Sequence, residues 1–140
     1  MVPQELQDLL AQRNNAIIAV NRRSGGPHVT PIWYVWDGED FYFSITTDRA
    51  KYSNIKRDPA ISLIVDDGPS YVAAYGEAEF IDMSHPYVPA LTDQLISKYV
   101  AGEQREQFLK VVKEPNRVLV KLRPEKVVTS TGTVARKAED

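Results

Sequence analysis

The residues best able to do chemistry in this 140-residue chain lie in one stretch, Thr46-Thr47-Asp48-Arg49-Ala50-Lys51-Tyr52-Ser53-Asn54-Ile55-Lys56-Arg57-Asp58-Pro59. Thr46, Thr47 and Asp48 are helix-capping types. Pro59 biases Asp58 away from helical geometry, so the stretch reads as a short helix from about Arg49 to Arg57. Arg49 and Lys51 then fall in its first turn, where the helix dipole is positive and cations are unfavourable. Asp48 offsets part of that. A bound anion would resolve the conflict, because first-turn N–H groups, two hydroxyls and two cations can converge on one phosphate. The alternative is a solvated basic helix that packs through Tyr52 and Ile55.

Other constellations are sparse. The chain has no GxSxG, Walker A or HExxH motif. Its two histidines, His28 and His85, have no triad partners at useful spacing. His85 before Pro86 reads as a helix-entry residue, and His28 as the start of a strand. Asp66-Asp67 has the composition of a metal pair, but Gly68-Pro69 beside it makes it a turn, and no metal is expected. Catalysis, if present, would rest on a cofactor that the protein orients. Trp33 and Tyr34 offer a flat aromatic strand for such a ring, and equally well a barrel core.

The elements that must position these residues follow from periodicity. Glu5, Leu6, Leu9 and Leu10 repeat at helical spacing after Pro3, ending near Asn14-Asn15. Ala16 to Val20 is a compact apolar strand. His28 to Trp36 is a second strand, with Thr30, Ile32, Tyr34 and Trp36 on one face and Pro31 marking an edge, a bulge or a ligand-facing break. Asp37-Gly38-Glu39-Asp40 turns the chain into Phe41–Ile45, which delivers it to the basic helix. Ala60–Val65 and Tyr71–Ile81 are the next strands, with Gly76 a bulge or point of close approach. Two helices follow, one carrying Leu91, Leu95, Ile96 and Tyr99, the other running from about Glu103 to Lys113 with Phe108, Leu109 and Val112 inward. Arg117–Leu122 and a short Val127-Val128 segment complete six or seven strands, and a polar tail follows. The pattern predicts a mostly β fold: an antiparallel barrel with flanking helices, arranged as a helix over 1–15, a barrel over 16–128 and a tail over 129–140.

Hydrophobic content of 43% is enough for a core, and 26% charged residues is ordinary for a soluble chain. A net charge of −2 provides no basic field for nucleic acid. With no cysteine there is no disulfide framework or thiolate chemistry. No signal-peptide pattern or membrane-length apolar run is visible, and the expected location is the cytoplasm.

Three segments in this order, His28-Val29-Thr30-Pro31-Ile32-Trp33-Tyr34-Val35-Trp36-Asp37-Gly38, Phe41-Tyr42-Phe43-Ser44 and Asp48 through Pro59, give the chain a family likeness. It resembles the pyridoxamine 5′-phosphate oxidase-like superfamily of split β-barrel flavin-binding proteins, and within it the branch that uses the deazaflavin F420. The resemblance implies a homodimer of six-stranded FMN-binding-type split barrels with two cofactor sites at the subunit interface. It implies that Arg49 and Lys51, helped by Thr46 and Thr47, bind the cofactor phosphate, with Ile45 beside them among the cofactor-binding residues. Pro31, Ile32, Trp33 and Tyr34 would lie along the ring, and Ser70 and Tyr71 would reach the site from the partner. The implied activity is an oxidoreductase that passes a hydride between F420 and a small unsaturated or conjugated substrate, such as a quinone, an enone or a tetrapyrrole. No catalytic residue is named. FMN is the alternative cofactor, and a non-catalytic flavin-, F420- or haem-binding protein is the alternative role. Oxidases acting on vitamin B6 carry a basic C-terminal extension. Here only Arg136 and Lys137 lie in the tail, which argues against that substrate.

Overall fold

A computed structural model describes residues 1–112 and 114–136. The end of the second expected helix at Lys113, the inward placement of Val112 and the tail residue Lys137 lie outside what it describes. Helix α1 spans Gln4–Ala11, and Asn14 Nδ2 donates to the Leu9 carbonyl just beyond its end. The strands are β1 (Ala16–Val20), β2 (His28–Ile32), β3 (Val35–Trp36), β4 (Phe41–Thr46), β5 (Ala60–Asp66), β6 (Tyr71–Ile81), β7 (Arg117–Thr129) and β8 (Gly132–Ala135). Helix α2 (Ala50–Arg57) follows β4. Helices α3 (Val88–Tyr99) and α4 (Arg105–Val112), joined by a 3₁₀ turn at Gly102–Gln104, fall between β6 and β7.

All strand pairs are antiparallel, in the order β2-β1-β5-β6-β7-β4-β3, with β8 on β7. The order explains the barrel. β2 and β3 sit at opposite ends of the sheet, yet only Trp33 and Tyr34 connect them. Two residues reach about 7 Å, so the sheet must curl until its edges meet. The fold is therefore a mostly β, curled antiparallel split barrel with flanking helices, built from eight strands instead of six. Its interior is filled by alternate residues such as Ile18, Phe41, Phe43, Val65, Val72 and Leu122, each fully or almost fully buried.

Three expectations change. The single strand from His28 to Trp36 is two strands. A buried polar knot breaks it: the Tyr34 N–H donates to Tyr99 Oη (3.2 Å), Tyr99 Oη donates to the Asn14 carbonyl (2.6 Å), and Tyr34 Oη donates to Asn14 Oδ1 (2.6 Å). Conversely, Arg117–Leu122 and Val127-Val128 are one strand. Pro124 lies opposite Gly76, where the ladder shifts register and needs no N–H from it. A Cβ at Gly76 would lie 2.5 Å from the Arg123 carbonyl oxygen, so the expected close approach is present. Finally, the expected tail over 129–140 opens with the last residue of β7, Thr129, and contains strand β8, which pairs with β7 from Lys126 to Thr129.

Candidate functional site

Strand β4 ends at Thr46, and α2 begins at Ala50 after three intervening residues. Arg49 is the N-cap of α2 in extended geometry. It makes no side-chain capping bond, and the first turn contains no acidic residue. Lys51 sits in that turn, half-buried. Burial, and secondarily the Arg49 charge, push its pKa below the ordinary lysine value. Lys56 and Arg57 occupy the last turn, where the dipole favours cations. The basic helix is thus electrostatically satisfied at one end and not at the other.

A cavity of about 450 Å³ opens at the unsatisfied end, lined by His28 and Thr30 from β2, Ser44, Ile45 and Thr46 from β4, Arg49, Ala50 and Lys51 from the start of α2, and Arg117 from β7. The β4–β7 register brings Arg117 there, opposite Thr46. Five buried side-chain polar atoms among the described residues have no hydrogen-bond partner. Four of them belong to residues that line this cavity: His28 Nδ1, Thr30 Oγ1, Thr46 Oγ1 and Arg117 Nε. An unpartnered buried polar atom is costly, and four around one cavity mark a place built for polar ligand atoms. Thr46 lowers the pKa of the exposed Asp48 carboxyl without making a hydrogen bond of full geometry. Arg49 and Arg117 act on Asp48 in the same direction, and neither forms an ion pair with it.

A second cavity of about 290 Å³ adjoins the first and shares Ser44, Lys51 and Arg117 with it. Its other walls are Pro31, Ile32, Trp33, Leu95 and Phe108. Trp33 is 38% exposed and stacks flat on Tyr99, with centroids 4.8 Å apart and planes within 1°. Phe108 from α4 also packs on Trp33, tilted by 37° with centroids 5.6 Å apart. Beneath this wall Lys98 Nζ lies 3.6 Å from the Tyr34 ring centroid and donates to the Leu10 and Tyr34 carbonyls. The aromatic wall is thereby tied to both α1 and α3.

Of the residues expected from sequence, Ile45, Thr46, Arg49 and Lys51 line the first cavity and Pro31, Ile32 and Trp33 the second. Thr47 donates its N–H to the Asn116 carbonyl and lines neither. Tyr34 is fully buried, and Ser70 and Tyr71 lie at the β5–β6 turn; none of the three lines either cavity of this chain. Sequence reasoning missed Arg117, His28, Thr30, Ser44, Leu95 and Phe108. For Thr30 the signal was present in its two-residue spacing from Ile32. Arg117 had none, because a strand-pairing register is not local.

The sequence pattern of the family described as "Pyridoxamine 5'-phosphate oxidase" matches residues 2–130. The chain belongs to the pyridoxamine 5′-phosphate oxidase family. Solved structures in this fold include a protein named F420 reductase, 28% identical, with a TM-score of 0.67 over 90% of this chain and 98% of that one. A conserved hypothetical protein from Mycobacterium tuberculosis is 21% identical, with a TM-score of 0.77 over 100% of this chain and 93% of its own. The haem storage protein HutZ from Vibrio cholerae is 15% identical, with a TM-score of 0.72 over 94% and 92%. The last two likenesses are of fold. The family's fold binds flavin-type cofactors, and the two cavities suit such a group. The cations and helix N-terminus suit an anionic group, the unpartnered hydroxyls and nitrogens suit a polyol, and the apolar aromatic wall suits a flat ring.

Proposed function

We propose that this family member is an oxidoreductase that binds F420, with its phosphate at Arg49, Lys51 and the α2 N-terminus and its ring against Pro31, Ile32 and Trp33. FMN is the alternative cofactor on the same residues. The observation that carries the reading is the convergence of three cations and four unpartnered polar atoms on a cavity that continues into an aromatic slot. The likeness to the F420 reductase favours F420 over FMN.

When bound, the cofactor supplies hydride transfer to or from a small unsaturated or conjugated substrate. The chain's own residues do the rest. Arg49 and Lys51 anchor the anionic end. Thr30 and Thr46 hold polar atoms between the anchor and the ring. Trp33, kept in place by Tyr99 and Phe108, fixes the plane of the ring and excludes water from it. Ser70 and Tyr71 complete the site from the partner of a homodimer. An exposed apolar strip on the outer sheet supports that assembly: Val29, Ile17, Ile64 and Tyr75 lie on adjacent strands β2, β1, β5 and β6.

The test is parallel titration of the purified protein with F420 and FMN, read by quenching of Trp33 and Trp36. Micromolar F420 binding with much weaker FMN binding supports the reading, and the reverse order moves the chain to the flavin branch. Binding without turnover across a broad acceptor panel makes it a carrier. Binding of neither overturns the reading.

A further inference from the structure

Arg117 occupies an unusual position for a cation. It lines both cavities at their junction and is half-buried. Its Nε is unpartnered, and its Nη1 makes only a long 3.4 Å contact to Ser44 Oγ. Among the described residues no carboxylate lies within ion-pair distance of it. A partly desolvated guanidinium with no ion-pair partner is costly, and the exposed Asp48 carboxyl feels its charge without pairing with it. Arg49 and Lys51, grouped at the α2 N-terminus, already suffice for one phosphate.

Resting on the cofactor reading above, we propose that Arg117 is the counter-charge for the ring end of the ligand and selects its reduced state. Transfer of a hydride breaks a C–H bond of the donor, forms a bond to the ring and adds two electrons with one proton. The ring becomes one unit more negative, and the donor releases a proton to solvent. That unit of charge arrives in the apolar slot walled by Trp33, Leu95 and Phe108, onto which two cations open, Arg117 from β7 and Lys51 from the first turn of α2, and only Arg117 lies away from the α2 N-terminus that takes the phosphate. A cation in such a slot holds the reduced form more strongly than the oxidised form. The planar, permanently charged fork of an arginine suits this role, whereas a lysine would present a point charge.

The experiment measures dissociation constants for oxidised and chemically reduced cofactor, FMN and F420 each, under anaerobic conditions. It compares the natural protein with Arg117→Gln and Arg117→Lys. The expected result is that the natural protein binds the reduced form roughly tenfold or more tightly than the oxidised form, the scale of one charge-assisted contact. Arg117→Gln should collapse that ratio, lowering affinity for the reduced form far more than for the oxidised form, and Arg117→Lys should retain part of it. Equal affinity of the natural protein for both forms overturns the proposal, and needs no variant to fold. So does an Arg117→Gln protein that loses both forms equally, which would make Arg117 a phosphate ligand. If the natural protein binds neither cofactor, the functional reading has failed and this inference with it. Binding without a redox preference is the failure of this inference alone.

Discussion

Two cations at a helix N-terminus repel each other and the dipole, so Arg49 and Lys51 are worth more to a ligand than to the fold. Replacing either by Ala should weaken cofactor binding by about 1.5–3 kcal/mol, roughly 10- to 150-fold, with thermal stability unchanged or slightly raised. Titration calorimetry beside a melting curve measures both, and an Arg49→Ala, Lys51→Ala double variant with undiminished affinity would remove the site assignment. Because burial and Arg49 lower the Lys51 pKa, an anion that pairs with it must raise that pKa again. Affinity should therefore fall as alkaline pH strips the proton from the free protein.

Lys98 makes the opposite kind of statement. Burial lowers its pKa from 10.5 to about 8, despite two carbonyls and an aromatic face that favour the charged form. Between about pH 8 and 10 the folded protein has released this proton while the unfolded chain still holds it, so stability should rise with pH. Burial raises the Tyr34 and Tyr99 phenols. Above about pH 10 the unfolded chain ionises these first, and stability should fall. Urea unfolding across this range should show a maximum whose rising limb is absent in Lys98→Met. A monotonic decline from neutral pH in the natural protein would contradict the account.

Local chemistry made some elements legible in the sequence and left others hidden. Helix α2 was readable because Asp58-Pro59 ends it locally, although the capping types before it do not cap it: Arg49 is the N-cap and makes no side-chain capping bond. The β3–β4 hairpin was readable for the same reason: Asp37 Oδ1 accepts from the N–H groups of Glu39 and Asp40, and Gly38 takes φ +102°. The break between β2 and β3 was not, because Trp33 and Tyr34 are strand-forming residues. What parts the strands is a lysine and a tyrosine about 65 positions away. Continuity through Pro124 was hidden too, since it depends on pairing with Gly76. Gly76→Ala should cost about 1–3 kcal/mol in urea unfolding, as its Cβ would press on the Arg123 carbonyl. An unchanged midpoint would mean the bulge tolerates a side chain.

At the scale of the molecule, the barrel class was legible from the count and spacing of strands, while the site was half legible. Its cationic end is a sequence-local motif. Its depth comes from β2, β4, β7 and α4 meeting in space, which is why Arg117 and Phe108 escaped notice. The outer strip of Val29, Ile17, Ile64 and Tyr75 carries the assembly prediction. Ile64→Lys should convert a dimer to monomers by sedimentation velocity and lower cofactor affinity, because Ser70 and Tyr71 of the partner would be lost. A natural protein that sediments as a monomer would refute it.

The two-residue connection between the sheet's opposite edges also sets an order of events in time. β2 and β3 are near neighbours along the chain, but each is stationed by a different end of a seven-strand path. Neither can reach its final place until β1, β5, β6, β7 and β4 have found one another, and those pairings span long sequence separations. Such contacts are slow to form because loop closure precedes their reward. Closure of the seam should therefore be the last step of refolding. Trp33, within that connection, and Trp36, just beyond it in β3, should report a slower phase than the far-ultraviolet signal of the sheet itself.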